Sequence, residues 1–253
     1  MTRSSGRAPW RGRDGVRGVQ PHGMKKITHG LLAVLALSAT VLAGPAAAAP
    51  ATELVQAPAP APAPVTLPVR TAIERLPVAD ESRAGYDRDL FRHWIDADRD
   101  GCNTRMEVLL AEAVQAPEVG SGCRLTGGRW YSYYDDTYVD GARGLDIDHL
   151  VPLAESWDSG ASNWDAKRRE AYANDLGAEA SLIAVTARSN RSKSDQDPST
   201  WWIPAEGASC RYLGEWVATK LRWDLSVDDA ELAALNERAT GCPNDPISFE
   251  KAG

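Results

Sequence analysis

Between Ala57 and Pro64 the chain alternates alanine and proline without a break. Every second residue there lacks a backbone N–H and has φ held at about −65°, so neither a helix interior nor an inner strand can form. The stretch 50–68 reads as an extended, polyproline-like linker. Whatever packs a core is therefore expected beyond it, as one domain over 69–253 beginning near Val69.

Upstream of the linker the sequence holds no candidate core. Residues 1–23 are rich in Arg and Gly, without an apolar period. From Met24 a basic start (Lys25, Lys26), an apolar run from Leu31 to Leu42 and small residues at Ala47 to Ala49 follow in order. That is the three-part pattern of a secretory signal peptide, with cleavage expected near residue 49. Residues 1–49 are thus read as an N-terminal extension plus signal. The run is short for a permanent membrane helix, an uncleaved anchor being the alternative. No second stretch is long and apolar enough to span a bilayer, so the mature protein is expected to be soluble outside the cytoplasm, with no membrane association and no obligate protein partner implied.

Four cysteines remain: Cys102, Cys123, Cys210 and Cys242. An even count in an exported chain favours disulfides, and pairing of sequence neighbours, Cys102 with Cys123 and Cys210 with Cys242, is the simplest of three connectivities. Zinc is disfavoured because the chain has no CxxC pair and no histidine cluster.

Residues 1–49 carry seven Lys and Arg and one acid, so the 28 bases and 35 acids of the chain leave 21 against 34 in the remainder. Such a balance is poor for holding nucleic acid by counterion release alone. A metal cation would have to supply local positive charge if the ligand is a polyanion.

The periodicities predict an α+β fold dominated by helices. Helices are expected over Arg83–Ile95 and Thr104–Val114 around the acidic loop DADRDG, and a hairpin over Cys123–Tyr134 about Gly127-Gly128. A strand is expected at Leu145–His149, a brief helix at Ala154–Trp157 and another helix at Asp165–Ala173. A buried strand at Ser181–Ala187 is followed by a helix over Arg188–Asp195, closed near Pro198. Two amphipathic helices end the domain, Cys210–Trp223 and Val227–Ala239, the second opened by Ser226 and Asp229 as a capping box.

Only His93 and His149 remain beyond the linker, which narrows the search for a base titrating near neutral pH. His149 ends LDIDHLVPL, where strand alternation sends Asp146 and Asp148 to one face. In ARSNRSKSD a helix would put Asn190 and Lys193 on a shared face. A carboxylate, an amide oxygen and waters suit Mg²⁺, with Mn²⁺ as the alternative ion. His149 would take a proton from water while Lys193 adds a charge to the same phosphate. A strand-end histidine satisfied by a neighbouring carboxylate is the bland alternative, and His93, beside Trp94, reads as structural.

LDIDHLVPL followed by LIAVTARSNRSKSD resembles the HNH nucleases, particularly the C-terminal domain of GmrSD-type restriction endonucleases and its secreted bacterial relatives. The two segments are also similar to the HNH domain of RNA-guided CRISPR effectors. The likeness runs from about Tyr86 through Pro204, including DRDLF, the DGCNTR region, SGA, YANDL and DPSTWWIP. It implies Asp148 and Asn190 as ligands of one divalent metal, His149 as the base, and Lys193 near the nucleic acid. The implied fold is a ββα-metal core with a helical insertion from about Leu150 to Ala180 and flanking helices. Relatives usually carry Asn just before the second strand, bracing the catalytic loop. This chain has Ser181, and Asn174 in YANDL either takes over the bracing or serves a separate turn.

The segment DADRDGCNTRME also sets Asp96, Asp98, Asp100 and Glu107 at positions 1, 3, 5 and 12 of an EF-hand-like calcium loop, with Gly101 at position 6. A solvated acidic turn is the competing reading. Arg105, Arg188 and Arg191 are candidate nucleic-acid contacts. Trp130, Tyr131, Tyr133, Tyr134, Trp201 and Trp202 are either a stacking platform or core. These readings together predict a secreted, metal-dependent endonuclease acting on DNA or RNA. The rival functions are a calcium-stabilised extracellular binding domain without turnover and a phosphodiesterase of envelope phosphate esters.

Overall fold

The computed structural model describes residues 63–253. The expected N-terminal extension and signal segment, and most of the expected linker, lie outside the described residues.

β1 (Val65–Pro68) pairs antiparallel with β8 (Pro246–Phe249), Val65 opposite Phe249 and Pro68 opposite Pro246. The ordered fold thus begins four residues before the expected start at Val69. Both prolines stand at the same end of the ladder, where a missing N–H is tolerated. α1 (Val69–Ile73) follows and buries Val69, Ala72 and Ile73.

The helix expected over Arg83–Ile95 does not form. The segment makes a single 3₁₀ turn, Arg88–Leu90, capped by the Asp87 carboxylate accepting from Asp89 N at 2.9 Å. Gly85 at φ 76° and Trp94 at φ 58° break the helical path on either side. Its apolar residues serve tertiary contacts instead, Phe91 being fully buried. α2 (Thr104–Ala111) does form, with Asn103 Oδ1 accepting from Met106 N at 3.1 Å.

The single hairpin expected over Cys123–Tyr134 is replaced by two. β2 (Glu118–Gly120) pairs with β3 (Arg124–Thr126), and β4 (Arg129–Ser132) with β5 (Thr137–Asp140). Gly127 and Gly128 do adopt positive φ, but they separate the hairpins. Trp130 decides this: its ring is fully buried, its Nε1–H donates to Leu109 O at 2.7 Å, and it lies where a Cβ on Gly128 would stand only 2.6 Å away. Burial of one large aromatic outweighs the preference of a local Gly-Gly turn.

β6 (Leu145–His149) and β7 (Leu182–Thr186) form an antiparallel pair with Asp148 opposite Ile183. α5 (Ala187–Lys193) leaves β7 directly, Thr186 Oγ1 capping it by accepting from Ser189 N at 3.2 Å. Between the strands lie α3 (Leu153–Asp158) and α4 (Ala166–Ala173), the latter capped by Asp165. α6 (Ser209–Trp223) and α7 (Asp229–Thr240) complete an α+β domain of helices and four small antiparallel sheets. The cap of α7 is Asp228, accepting from Glu231 N at 2.7 Å, while Ser226 Oγ donates to Ser159 O. The expected Ser226–Asp229 box is therefore displaced by two residues.

Two apolar clusters sandwich the β6–β7 pair. A small one packs α2 and Trp130 against Leu145, Ile147, Leu182 and Ala184, and a large one gathers α1, α3, α6 and α7 around Ile183 and Val185. Cys102 is bonded to Cys123 and Cys210 to Cys242, the neighbour pairing.

Candidate active site

β6 sends Leu145 and Ile147 into the small cluster and Asp146 and Asp148 the other way, toward α5. At the end of the strand, His149 opens onto a cleft of about 300 Å³ that Arg88, Asp148, Asn190, Arg191 and Asp195 also line. Three of the residues expected to act together, Asp148, His149 and Asn190, thus share one cavity.

His149 is buried, and its Nε2 lies 2.9 Å from Ala173 O. A carbonyl only accepts, so Nε2 carries the proton and Nδ1 keeps its lone pair. Burial pushes the imidazole down to about 3, with Arg88, His93 and Lys193 adding repulsion, so the ring is neutral at physiological pH. Tyr172 stacks at 6.4 Å and Trp94 tilts over it at 5.5 Å, fixing its plane.

Asp148 is buried as well. Its oxygens accept from Lys193 Nζ at 2.9 and 2.7 Å and from Tyr134 Oη at 2.6 Å. Burial raises the Asp148 carboxyl and lowers the Lys193 ammonium, in each case against the pull of the partner. Lys193 is fully buried and spends its third donor on His149 O at 3.0 Å. It therefore points at Asp148 and the backbone of β6, with all three N–H groups engaged.

A carboxylate offers about four acceptor positions; three on Asp148 are taken, leaving one on Oδ1. Asn190, half-buried, donates from Nδ2 to Asp146 Oδ2 at a long 3.4 Å, and Arg191 reaches the same oxygen at 3.4 Å. One open carboxylate position and a loosely engaged carboxamide beside a cleft with room for several waters fit a hard divalent ion that keeps most of its waters.

Of the two candidate bracing residues, Ser181 contacts the turn that follows His149 and Asn174 does not. Ser181 Oγ donates to Asp175 Oδ2 at 2.7 Å, and Ser181 O accepts from Leu150 N at 3.1 Å, just past His149. Asp175 is held in turn by Arg222 at 2.7 and 2.8 Å and by Trp223 Nε1 at 2.9 Å, which keep its carboxyl below the usual range despite burial. Asn174 serves a separate turn: its Oδ1 accepts from Ile95 N and Thr104 Oγ1, and its Nδ2 donates to Arg92 O and Glu170 O. Sequence reasoning missed Asp175, although it stands beside Asn174 in YANDL. It also missed Asp135, which accepts from Ser132 Oγ and Thr186 Oγ1 at the β7–α5 junction.

Arg105 does not line the cleft, since its Nη2 donates to Leu145 O at 3.1 Å. Arg188 is largely exposed and lies 3.5 Å from Asp135. His93 Nδ1 is 2.8 Å from Phe91 O, a structural contact. The aromatic residues divide in favour of core: Trp130 and Tyr134 are fully buried, Tyr133 nearly so, and Trp201 and Trp202 pack on Tyr212. Tyr131, against Tyr138 at 4.9 Å, is partly open, as are Trp201 and Trp202.

In the acidic loop Asp96, Asp98 and Asp100 each offer a carboxylate oxygen within 4.8 Å of the others, and Asp100 does so with Glu107. Gly101 N donates to Asp96 Oδ2 at 3.1 Å, closing the loop at φ 97°. Slight burial and the three aspartates raise the Glu107 carboxyl.

Residues 87–238 match the family described as "GmrSD restriction endonucleases, C-terminal domain". A protein of the fungus Arthroderma benhamiae, described as "Uncharacterized secreted protein", is 41% identical over 158 residues, which are 62% of this chain and 76% of the relative. No solved structure matches. The matched span holds the whole cleft, from Arg88 to Asp195.

Proposed function

Because this chain belongs to the family of the C-terminal domain of GmrSD restriction endonucleases, we propose that it is an HNH-type endonuclease that hydrolyses phosphodiester bonds of nucleic acid, with His149 as general base. The observation that carries this reading is the His149 ring, held neutral with Nδ1 free in the cleft that Asp148 and Asn190 share.

A phosphodiester entering the cleft brings negative charge next to a neutral imidazole, which favours the imidazolium in the transition state. His149 Nδ1 takes a proton from a water whose oxygen attacks phosphorus. The P–O bond to the leaving nucleotide breaks, and that oxygen is protonated from solvent. Ala173 O holds the Nε2–H end, so the ring cannot turn away. Asp148 and Asn190 would hold the divalent ion, Mg²⁺ or Mn²⁺, which when bound supplies positive charge to a phosphate oxygen. Lys193 and Tyr134 fix the Asp148 carboxylate, while the Ser181–Asp175–Arg222 chain braces the turn that follows His149. The β6–β7–α5 arrangement is thereby read as the ββα-metal core.

Asp96, Asp98, Asp100 and Glu107 are proposed to take a second, structural Ca²⁺, supported by the convergence of their oxygens. Export is supported by the signal-like segment 24–49 and by the relative described as secreted. Among the described residues no helix is long and apolar enough to cross a membrane.

Plasmid relaxation by the purified protein in Mg²⁺, in Mn²⁺ and in chelator, beside His149→Ala, tests the reading. Metal-dependent nicking that disappears in the variant is expected. Nicking that is equal in both proteins and indifferent to chelator would remove it.

A further inference from the structure

The acidic domain has to hold a polyanion against its own net charge, so the guanidinium groups at the cleft matter individually. Arg191 and Arg188 already face carboxylates, Asp146 at 3.4 Å and Asp135 at 3.5 Å. Arg88 is different. It lines the same cleft as His149 and Asn190, its side chain is exposed, and among the described residues it has no carboxylate within 4.0 Å. It comes from outside the β6–β7–α5 unit and faces that unit across the cavity.

The backbone that carries Arg88 is firmly placed. Three residues on, Phe91 is fully buried and meets Trp157 and Tyr172 edge-on at 6.3 and 6.2 Å. Leu90 O accepts from Arg169 Nε at 3.3 Å, and Asp87 caps the turn. Tyr172 in turn stacks on His149, so one aromatic group positions both the imidazole and the turn bearing Arg88. A long flexible side chain on a fixed stem, with a fork of N–H donors that no carboxylate occupies, is suited to a planar bidentate contact with a phosphate.

We propose that Arg88 is a substrate-binding residue that grips a backbone phosphate of the nucleic acid lying in the His149 cleft. The proposal rests on the nuclease reading and adds to it a second wall for the site. Phosphate recognition of this kind is independent of sequence and sensitive to salt.

The test uses the mature protein in the His149→Ala background, so that binding is read without turnover. A fluorescent oligonucleotide is titrated at several salt concentrations, with and without Arg88→Ala or Arg88→Lys. Arg88→Ala is expected to weaken binding about tenfold, equally for unrelated sequences, and to lower the salt slope by about one. Arg88→Lys should keep the slope but recover only part of the affinity, because an ammonium lacks the fork. Unaltered melting temperatures exclude a folding cause. Isotherms and slopes that superimpose on the parent would overturn the role of Arg88 while leaving the nuclease reading intact. A parent protein that neither binds nor cuts any nucleic acid overturns both.

Discussion

Lys193 and Lys220 are both without solvent exposure and both touch carboxylates, yet their surroundings differ in kind. Lys220 sits in the helical scaffold, its three N–H groups shared among four acceptors: Glu155 at 2.7 Å, Glu231 at 2.6 Å, Ser159 Oγ at 2.8 Å and Ser226 O at 2.8 Å. The surplus of carboxylates overcomes burial and holds the ammonium well above its usual range. Lys193, buried against the cleft residue Asp148, has one carboxylate, and burial prevails: Lys193 is lowered and Asp148 raised. The scaffold pair is over-compensated and closed. The cleft pair is under-compensated and borders a cavity that can receive further charge. Perturbation of this kind gathers at functional sites, where fixed charges are kept short of full satisfaction.

The comparison implies that the two regions fail differently when broken. His149→Ala should lower turnover about a thousandfold, or about 4 kcal/mol of barrier, with a smaller loss of stability, since the buried ring packs on Tyr172 but also lines the cleft. A fall in stability matching the fall in rate would make His149 a core residue and dissolve the contrast. Lys220→Met should do the reverse, costing about 4 kcal/mol of folding stability by leaving Glu155 buried without a counter-charge and Glu231 without its ammonium donor. Lys193→Met is expected to cost less, because Asp148 keeps Tyr134 as a donor and faces the cleft. Denaturant midpoints of the two lysine variants check the order, and equal losses would show that the two pairs are energetically alike.

The elements around the cleft were legible for physical reasons. β6 and β7 announce themselves by alternation and by an unbroken apolar run, and α5 by the polar period that follows. His149 stood out because histidine is scarce. The support was hidden, since Tyr134 reaching Asp148 and Ser181 reaching Asp175 depend on how distant segments cross. Arg88 was hidden more thoroughly. The apolar spacing around it mimics a helix, whereas Phe91 and Trp94 are set by tertiary contacts made through two positive-φ residues. The Gly-Gly pair misled in the same way, because the burial of Trp130 decides which strands pair.

A smaller effect sharpens the scaffold side of the comparison. Burial, chiefly, together with the neighbouring Glu155 raises the Glu231 carboxyl to about 8, and Glu81 beside it also to about 8. A carboxyl raised in the folded state binds a proton that the unfolded chain releases. Its contribution is complete below about 4.5 and declines as pH rises through 8, with a slope of at most about 1.4 kcal/mol per unit for one proton. Glu231→Gln should flatten the stability profile between pH 5 and 8, while giving up one of the two acceptor oxygens that Trp216 Nε1 and Lys220 Nζ use. Urea melts across that range give the slope, and parallel profiles for parent and variant would place the proton elsewhere. Glu81, half-exposed, should contribute a weaker, screened share.

The smallest expected effect lies back at the cleft. Ser194 ends α5 at φ 52° and ψ −130°, between Lys193 and Asp195, in a backbone region that favours glycine. Strain of this kind costs about 1–3 kcal/mol in the folded state. Glycine would relieve it but also loosen the unfolded chain by about 0.4–1 kcal/mol. Ser194→Gly should therefore stabilise the domain by about 1 kcal/mol net, read as a rise in melting temperature. Its effect on rate discriminates between two uses of the strain. If a taut end of α5 holds Asn190 and Lys193 against β6, the variant is more stable and slower. If the strain only turns the chain toward Asp195, stability rises and the rate is unchanged. A less stable variant would mean that the serine side chain makes contacts worth more than the strain it imposes.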